Sequence, residues 1–180
     1  ILLMSAGTLT KGPVAIVLPC AVAWICAVVR REGWLRETGL LLLSALLSMA
    51  LPALWYCAAY RQQGDGFLRL FMEENVYRFL GRMSYRSHEN GLWYYFVMLP
   101  AGLLPWTLLL LPALFRRWDR RAIVARLRAM DRTEVFSLVA SLTVFVFYCI
   151  PHSKRGVYIM PMYPFVAFFV SQYLCANYTQ

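Results

Sequence analysis

The residues best suited to chemistry lie in one short stretch, Cys149-Ile150-Pro151-His152-Ser153-Lys154-Arg155-Gly156-Val157-Tyr158. An apolar run from Val135 to Ile150 ends there, and another from Val157 to Cys175 begins. Lys154 and Arg155 sit between the two runs, with Tyr158 one turn beyond. Two fixed cations and a phenol at the mouth of two apolar segments suit an anionic group presented at a membrane surface, because ammonium and guanidinium groups are the usual partners of phosphate oxygens. No Ser-His-Asp set, zinc-ligand spacing or phosphate-cradling glycine loop occurs in the sequence.

The elements that position these groups are membrane spans. Hydrophobic residues make up 61% of the 180 and the mean hydropathy is +0.55, against about 45–50% apolar in soluble domains. Several runs of roughly 17–22 residues match the length needed to cross a hydrocarbon core of about 30 Å. Continuous apolar runs exclude a β-barrel, whose strands alternate. The expected fold is all-α and polytopic, with about five spans plus an interfacial amphipathic helix. The chain opens on Ile1-Leu2-Leu3-Met4 in mid-helix and reads as a fragment of something longer. The five cysteines form no CxxC pair and read as small buried hydrophobes.

Residues 1–7 read as the end of a span, and Thr8 to Pro13 as a turn punctuated by Gly12-Pro13. Spans follow at about Pro13–Val29, Gly39–Tyr60, Leu92–Phe115, Val135–Ile150 and Val157–Cys175. Pro52 is expected to kink the second. Prolines 100, 105 and 112 interrupt the third, and prolines 161 and 164 the fifth. Trp55, Tyr56 and Tyr60 suit an aromatic belt. Within the connection 61–91, Leu68, Phe71, Met72, Val76, Phe79 and Leu80 recur at helical spacing, with Arg69, Glu73 and Arg82 opposite. The segment Phe67–Leu80 is therefore expected to be an amphipathic helix lying in the interface, with Glu74 and Arg78 as a favourable i,i+4 pair.

The net charge of +9 resides in the connections, a distribution suited to topology and lipid phosphate rather than to nucleic acid. Segment 116–134 holds seven arginines, against five in the longer segment 61–91. The positive-inside rule then puts 30–37 and 116–134 in the cytoplasm. The Lys11 turn, segment 61–91 and the Lys154-Arg155 connection share the opposite face. Each polar group there has two readings. Lys11 is a snorkelling anchor or a phosphate ligand. Arg78 pairs with Glu74 or serves a ligand. His88 is a solvated loop residue or a ligand, and Tyr158 a belt residue or part of a site.

Taken in order, the segments Leu9-Thr10-Lys11-Gly12-Pro13, Glu73-Glu74-Asn75-Val76-Tyr77-Arg78-Phe79, His88 with Trp93-Tyr94-Tyr95, Leu104-Pro105-Trp106, and Ser153-Lys154-Arg155-Gly156-Val157-Tyr158 through Pro164 resemble a family. It is the GT-C class of bacterial membrane glycosyltransferases, the superfamily of aminoarabinose transferases and protein O-mannosyltransferases. The resemblance covers about residues 8–170.

It implies inverting transfer of a sugar from a polyprenyl-phosphate donor to a lipid A, protein or glycan acceptor. The setting is the extracytoplasmic face of a multi-pass protein of the bacterial inner membrane, with membrane lipids around it. Lys11, Arg78, Lys154 and Tyr158 would contact the donor phosphate, where fixed cations stabilise charge as the glycosidic bond breaks. Arg155, His88, Glu74 and Tyr94 are candidates to line the cavity. No cofactor is firmly implied, a divalent cation being the single candidate. Two departures stand out. Phe147-Tyr148-Cys149 replaces the common Phe-Phe-Ser, and Lys154-Arg155-Gly156 replaces Lys-Leu-Pro, which adds a charge. The family's catalytic aspartate falls upstream of Ile1, and none of Asp65, Glu73 and Glu74 takes that role.

A transporter or flippase of an anionic lipid or solute also uses broken helices and cations. It should carry deep polar residues, and this chain has little beyond Ser44, Ser48, Ser137, Ser141 and Thr143. A lipid-linked polymer ligase is the third reading. Because no general base is at hand, the purified 180-residue piece is expected not to transfer sugar from a lipid-phosphate donor, and measurable transfer would overturn the assignment of the base.

Overall fold

The computed structural model describes residues 1–31, 33–82, 90–91, 93–109, 119–151 and 153–178. Among them regular structure is helical throughout, in line with the all-α expectation. Three helical segments are long and apolar enough to cross a membrane: Trp34–Gln63, Arg132–Cys149 and Gly156–Asn177. Val14–Arg30 is apolar but shorter. Two compact units divide the chain, Ile1–Glu89 with Ile150–Ser153 and Asn90–Cys149 with Lys154–Gln180.

In the first unit, α1 (Leu2–Lys11), α2 (Val14–Arg30) and α3 (Trp34–Gln63) pack on one another. Apolar burial gives little drive between helices in lipid, so close backbone approach and interhelical hydrogen bonds must hold them. Both are present. A Cβ added at Gly7 would lie 2.8 Å from that of Ala15, so α1 and α2 meet where a side chain is missing. Pro52 has no N–H to give the carbonyl of Ser48. That carbonyl instead accepts from Ser5 Oγ at 2.7 Å, in a site where Ser5, Ser48 and Pro52 are all buried. Tyr56 OH donates to Thr8 O at 3.2 Å. Leu42, Leu46 and Leu54 of α3 remain exposed, an apolar surface that suits acyl chains.

Gly64, with φ 57°, turns the chain out of α3 into α4 (Asp65–Met72). Phe67 and Phe71 of α4 pack on the Trp55 and Tyr56 rings, with centroids 5.1–6.2 Å apart. A π-helical turn (Glu73–Tyr77) and a short α5 (Arg78–Leu80) follow.

The second unit contains α6 (Tyr94–Gly102), a turn at 103–105 with a cis Leu104–Pro105 peptide, α7 (Arg120–Arg128), α8 (Arg132–Cys149), a 3-10 segment (Gly156–Met162) and α9 (Tyr163–Tyr178). Its core is Tyr95, Val144, Ile159 and Met162, ringed by Met98, Phe145 and Tyr148 among others. A Cβ at Gly102 would collide with the Tyr163 hydroxyl. The start of α8 is a capping box. Asp131 Oδ1 accepts from Glu134 N at 2.8 Å, and Glu134 Oε2 accepts from Asp131 N at 2.9 Å.

Several boundaries differ from expectation. The helix expected to end at residue 7 runs to Lys11, because Thr8 and Thr10 bond carbonyls of their own helix instead of breaking it. The loop expected at 30–37 shrinks as α3 begins at Trp34. A 30-residue helix is about 45 Å long, so its polar ends extend past a hydrocarbon core of about 30 Å. The expected interfacial helix 67–80 is helical but changes to π geometry after Met72. Segment 116–134, read as a loop, holds α7. Of the expected span 92–115, residues 92 and 110–115 lie outside the described residues, as does His152.

The Ser5 bond makes a double-mutant cycle informative. Ser5→Ala should destabilise the full-length protein by about 1 kcal/mol. In a Pro52→Ala background, where the helix's own N–H serves Ser48 O, the same change should be nearly neutral. Equal effects in both backgrounds, read by reversible unfolding, would show that the hydroxyl is not replacing the missing donor.

Candidate functional site

Lys11 ends α1 with its side chain exposed, where an ammonium group also complements the negative end of the helix dipole. The chain then turns at Gly12, φ 78° and ψ −170°, a conformation almost confined to glycine. Asn75 packs against this turn so closely that a Cβ at Gly12 would collide with its Oδ1. The other end of the Asn75 amide, Nδ2, donates to Phe71 O at 2.9 Å. Asparagine is a poor interior helix residue because its side chain competes for backbone partners. Here it does so at the π-helical turn, where Arg78 N–H reaches back five residues to Glu73 O. Single π turns of this kind recur at functional sites. The structure thus joins the Lys-Gly-Pro motif to the Glu-Glu-Asn-Val-Tyr-Arg motif. Arg78, 19% exposed along its side chain, pairs with Glu74 through an Nη2–Oε2 contact of 2.6 Å. The expected i,i+4 pair therefore forms across the π turn.

In the second unit, the cationic turn is held through two of its main-chain carbonyls and the Lys154 side chain. Asn90 Nδ2 donates to Lys154 O at 3.1 Å, and Lys154 Nζ donates to Asn90 O at 3.2 Å. Tyr95 OH donates to the next carbonyl, Arg155 O, at 3.1 Å. Lys154 is only 2% exposed. Burying an ammonium group is costly unless it is hydrogen-bonded, and the Asn90 carbonyl contributes to that requirement. Arg155 has extended backbone and an exposed side chain. The two adjacent cations therefore differ, one committed to the fold and one presented outward. Tyr158 stacks on Tyr148, with centroids 5.3 Å apart and planes 20° from parallel. Tyr94 borders the core and meets Tyr95 edge-on at 5.2 Å.

Of the residues singled out by sequence, Lys11, Glu74 and Arg78 belong to the first unit, and Tyr94, Lys154, Arg155 and Tyr158 to the second. His88 lies outside the described residues. Asn75, Asn90 and Tyr95 were passed over as site residues. An asparagine in the middle of a helical pattern was the available signal for Asn75. Among the described residues no three His, Cys, Asp or Glu side chains cluster as metal ligands.

No family model matches the sequence, and no solved structure matches it. Curated proteins do. The chain is 31% identical over 161 residues to an undecaprenyl phosphate-alpha-4-amino-4-deoxy-L-arabinose arabinosyl transferase of Erwinia tasmaniensis, covering 87% of this chain and 27% of that protein. It is 29% identical over 175 residues to proteins of the same name from Yersinia pestis and Yersinia pseudotuberculosis, covering 95% of this chain and 29% of each. The chain thus spans less than a third of the length of these relatives.

Gly12 and Gly64 provide a matched test of the Asn75 contact. Both have positive φ, but a Cβ at Gly64 meets nothing within 4 Å. Alanine at either position should cost about 1–3 kcal/mol of backbone strain. At Gly12 the displaced Asn75 should add about 1 kcal/mol or more. Equal losses in thermal stability at the two positions would remove any energetic role for that contact.

Proposed function

Since the chain is a relative of the bacterial aminoarabinose arabinosyltransferases, we propose that it forms the donor-phosphate part of a GT-C class membrane glycosyltransferase. The donor is a sugar joined through its anomeric carbon to a polyprenyl phosphate, and the names of the relatives point to an aminopentose. The acceptor is a hydroxyl of a lipid, protein or glycan at the extracytoplasmic surface. In this reading 61–91 is an extracytoplasmic segment and 116–134 a cytoplasmic one.

The acceptor oxygen bonds to the anomeric carbon as the bond from that carbon to the phosphate oxygen breaks. The electron pair leaves with the polyprenyl phosphate, and the acceptor proton goes to a base that we do not assign to Asp65, Glu73 or Glu74. Negative charge therefore grows on the phosphate. Preorganised cations aimed at that charge lower the barrier more than they tighten substrate binding. We assign Lys11 and Arg78, with Glu74, to this role in the first unit, and Arg155 and Tyr158 in the second, where Lys154, buried and bonded to Asn90, holds the turn that presents Arg155. Glu74 orients the Arg78 guanidinium through their ion pair.

The observation that carries the proposal is the packing of Asn75 on Gly12. It joins two motifs that are more than sixty residues apart in sequence, each carrying one of the assigned cations. Buried serines do not suggest a transport path. Ser48 Oγ and Ser141 Oγ bond carbonyls of their own helices, each at 2.7–2.8 Å.

In the full-length protein, Lys11→Ala and Arg78→Ala should each lower transfer from a synthetic polyprenyl-phosphate aminopentose by about a hundredfold or more, with membrane insertion unchanged. Glu74→Gln removes the charge pair but keeps the guanidinium, and should retain most of the activity. Wild-type turnover in both alanine variants would sink the phosphate assignment.

A further inference from the structure

The seven arginines of segment 116–134 suit topology, yet α7 gives some of them a shape that topology does not require. Its sequence is Arg120-Arg121-Ala122-Ile123-Val124-Ala125-Arg126-Leu127-Arg128. Asp119 caps it, accepting from Arg121 N at 2.9 Å. At about 100° per residue, Arg120, Arg121, Val124, Ala125 and Arg128 fall on one face of the helix. These five border one open region of the surface. Beside them Ile123 and Leu127 extend an exposed apolar stripe through Val124, each of the three 39–47% exposed.

The remaining arginine has a different task. Arg126 forms a two-pronged pair with Glu134, Nη1 to Oε2 at 3.1 Å and Nη2 to Oε1. Glu134 is 5% exposed and is also the capping-box residue of α8. Two parallel bonds between guanidinium and carboxylate fix orientation as well as distance. Glu134 opens a helix long and apolar enough to cross a membrane, so the pair tethers α7 where that helix leaves the hydrocarbon.

We propose that Arg120, Arg121 and Arg128 form a binding site for the phosphate headgroup of an anionic phospholipid, with Ile123, Val124 and Leu127 dipping into the acyl boundary beside it. Charge complementarity selects the occupant. Three cations bordering an apolar stripe match a surface that is anionic at its headgroups and apolar just beneath. Continuity with α8 places that surface within reach, whereas a soluble anionic protein would leave the apolar stripe unmatched. The site is separate from the residues assigned to the sugar donor, and does not depend on that assignment.

The test uses the full-length protein in nanodiscs made of phosphatidylglycerol or of phosphatidylcholine. Hydrogen–deuterium exchange across residues 119–129 and bound lipid counted by native mass spectrometry are the readouts. Amides of α7 should be better protected in phosphatidylglycerol, and preference for that lipid should fall about fivefold for each arginine replaced by glutamine. High salt should erase the preference in the unsubstituted protein, so the test does not depend on the variants folding. Equal protection in both lipids, indifference to salt, or protection that follows a co-purified protein would each overturn the proposal.

Discussion

A backbone carbonyl left without its helical donor must find another partner wherever packing or lipid keeps water away. Most of the distinctive contacts in this chain answer that constraint. Pro52 deprives Ser48 O of a donor, and Ser5 supplies one from a neighbouring helix. Past the end of α6, Thr107 Oγ1 donates to Pro100 O at 2.6 Å while Leu104 N turns back to Ala101 O. The carbonyls of Lys154 and Arg155, in non-helical chain, take side-chain donors from Asn90 and Tyr95. At the π turn, Asn75 serves Phe71 O. At each of these places a polar side chain supplies a donor to the backbone.

This coupling explains why chemistry-bearing residues and backbone irregularities coincide. A regular helix fixes side chains at 100° intervals and leaves little choice in aiming them. A break re-aims the chain, and the side chain that satisfies it also locks the new direction. Asn75 locks the π turn from which Arg78 follows and closes on the Gly12 turn that follows Lys11. Asn90 and Tyr95 lock the turn from which Arg155 projects. The cost is that one cation of the pair, Lys154, is spent largely inside the fold.

Such matching limits what sequence can reveal. The helical membrane class was legible because uncharged runs of span length have few other uses, and the Glu74–Arg78 pair because i,i+4 spacing dictates it. Tyr94 and Tyr95 are chemically equivalent neighbours about 100° apart on a helix. Only packing decides that Tyr95 is buried and reaches Arg155 O. The hydroxyls of Thr8 and Thr10 suggested a turn, yet bonded within their helix. In α7 the arginines masked the spacing of Ile123, Val124 and Leu127, so a run of charge read as loop. The Gly12–Asn75 contact lies between distant segments and leaves no local trace.

The turn at Lys154-Arg155-Gly156 shows how such bonding leaves one position open to variation. The bonds that hold this turn run from Asn90 Nδ2 to Lys154 O, from Lys154 Nζ to Asn90 O and from Tyr95 OH to Arg155 O. None depends on the side chain at 155. A Cβ at Gly156 would meet Met98 Sδ and Tyr94 OH at 3.8 Å, ordinary contact distances, so the space there does not demand glycine. The turn can therefore keep its shape while residue 155 changes. Arginine at this exposed position adds a fork of five N–H donors to an otherwise fixed scaffold. Variation at 155 alters the charge presented by the turn and leaves the hydrogen bonds that hold it unchanged.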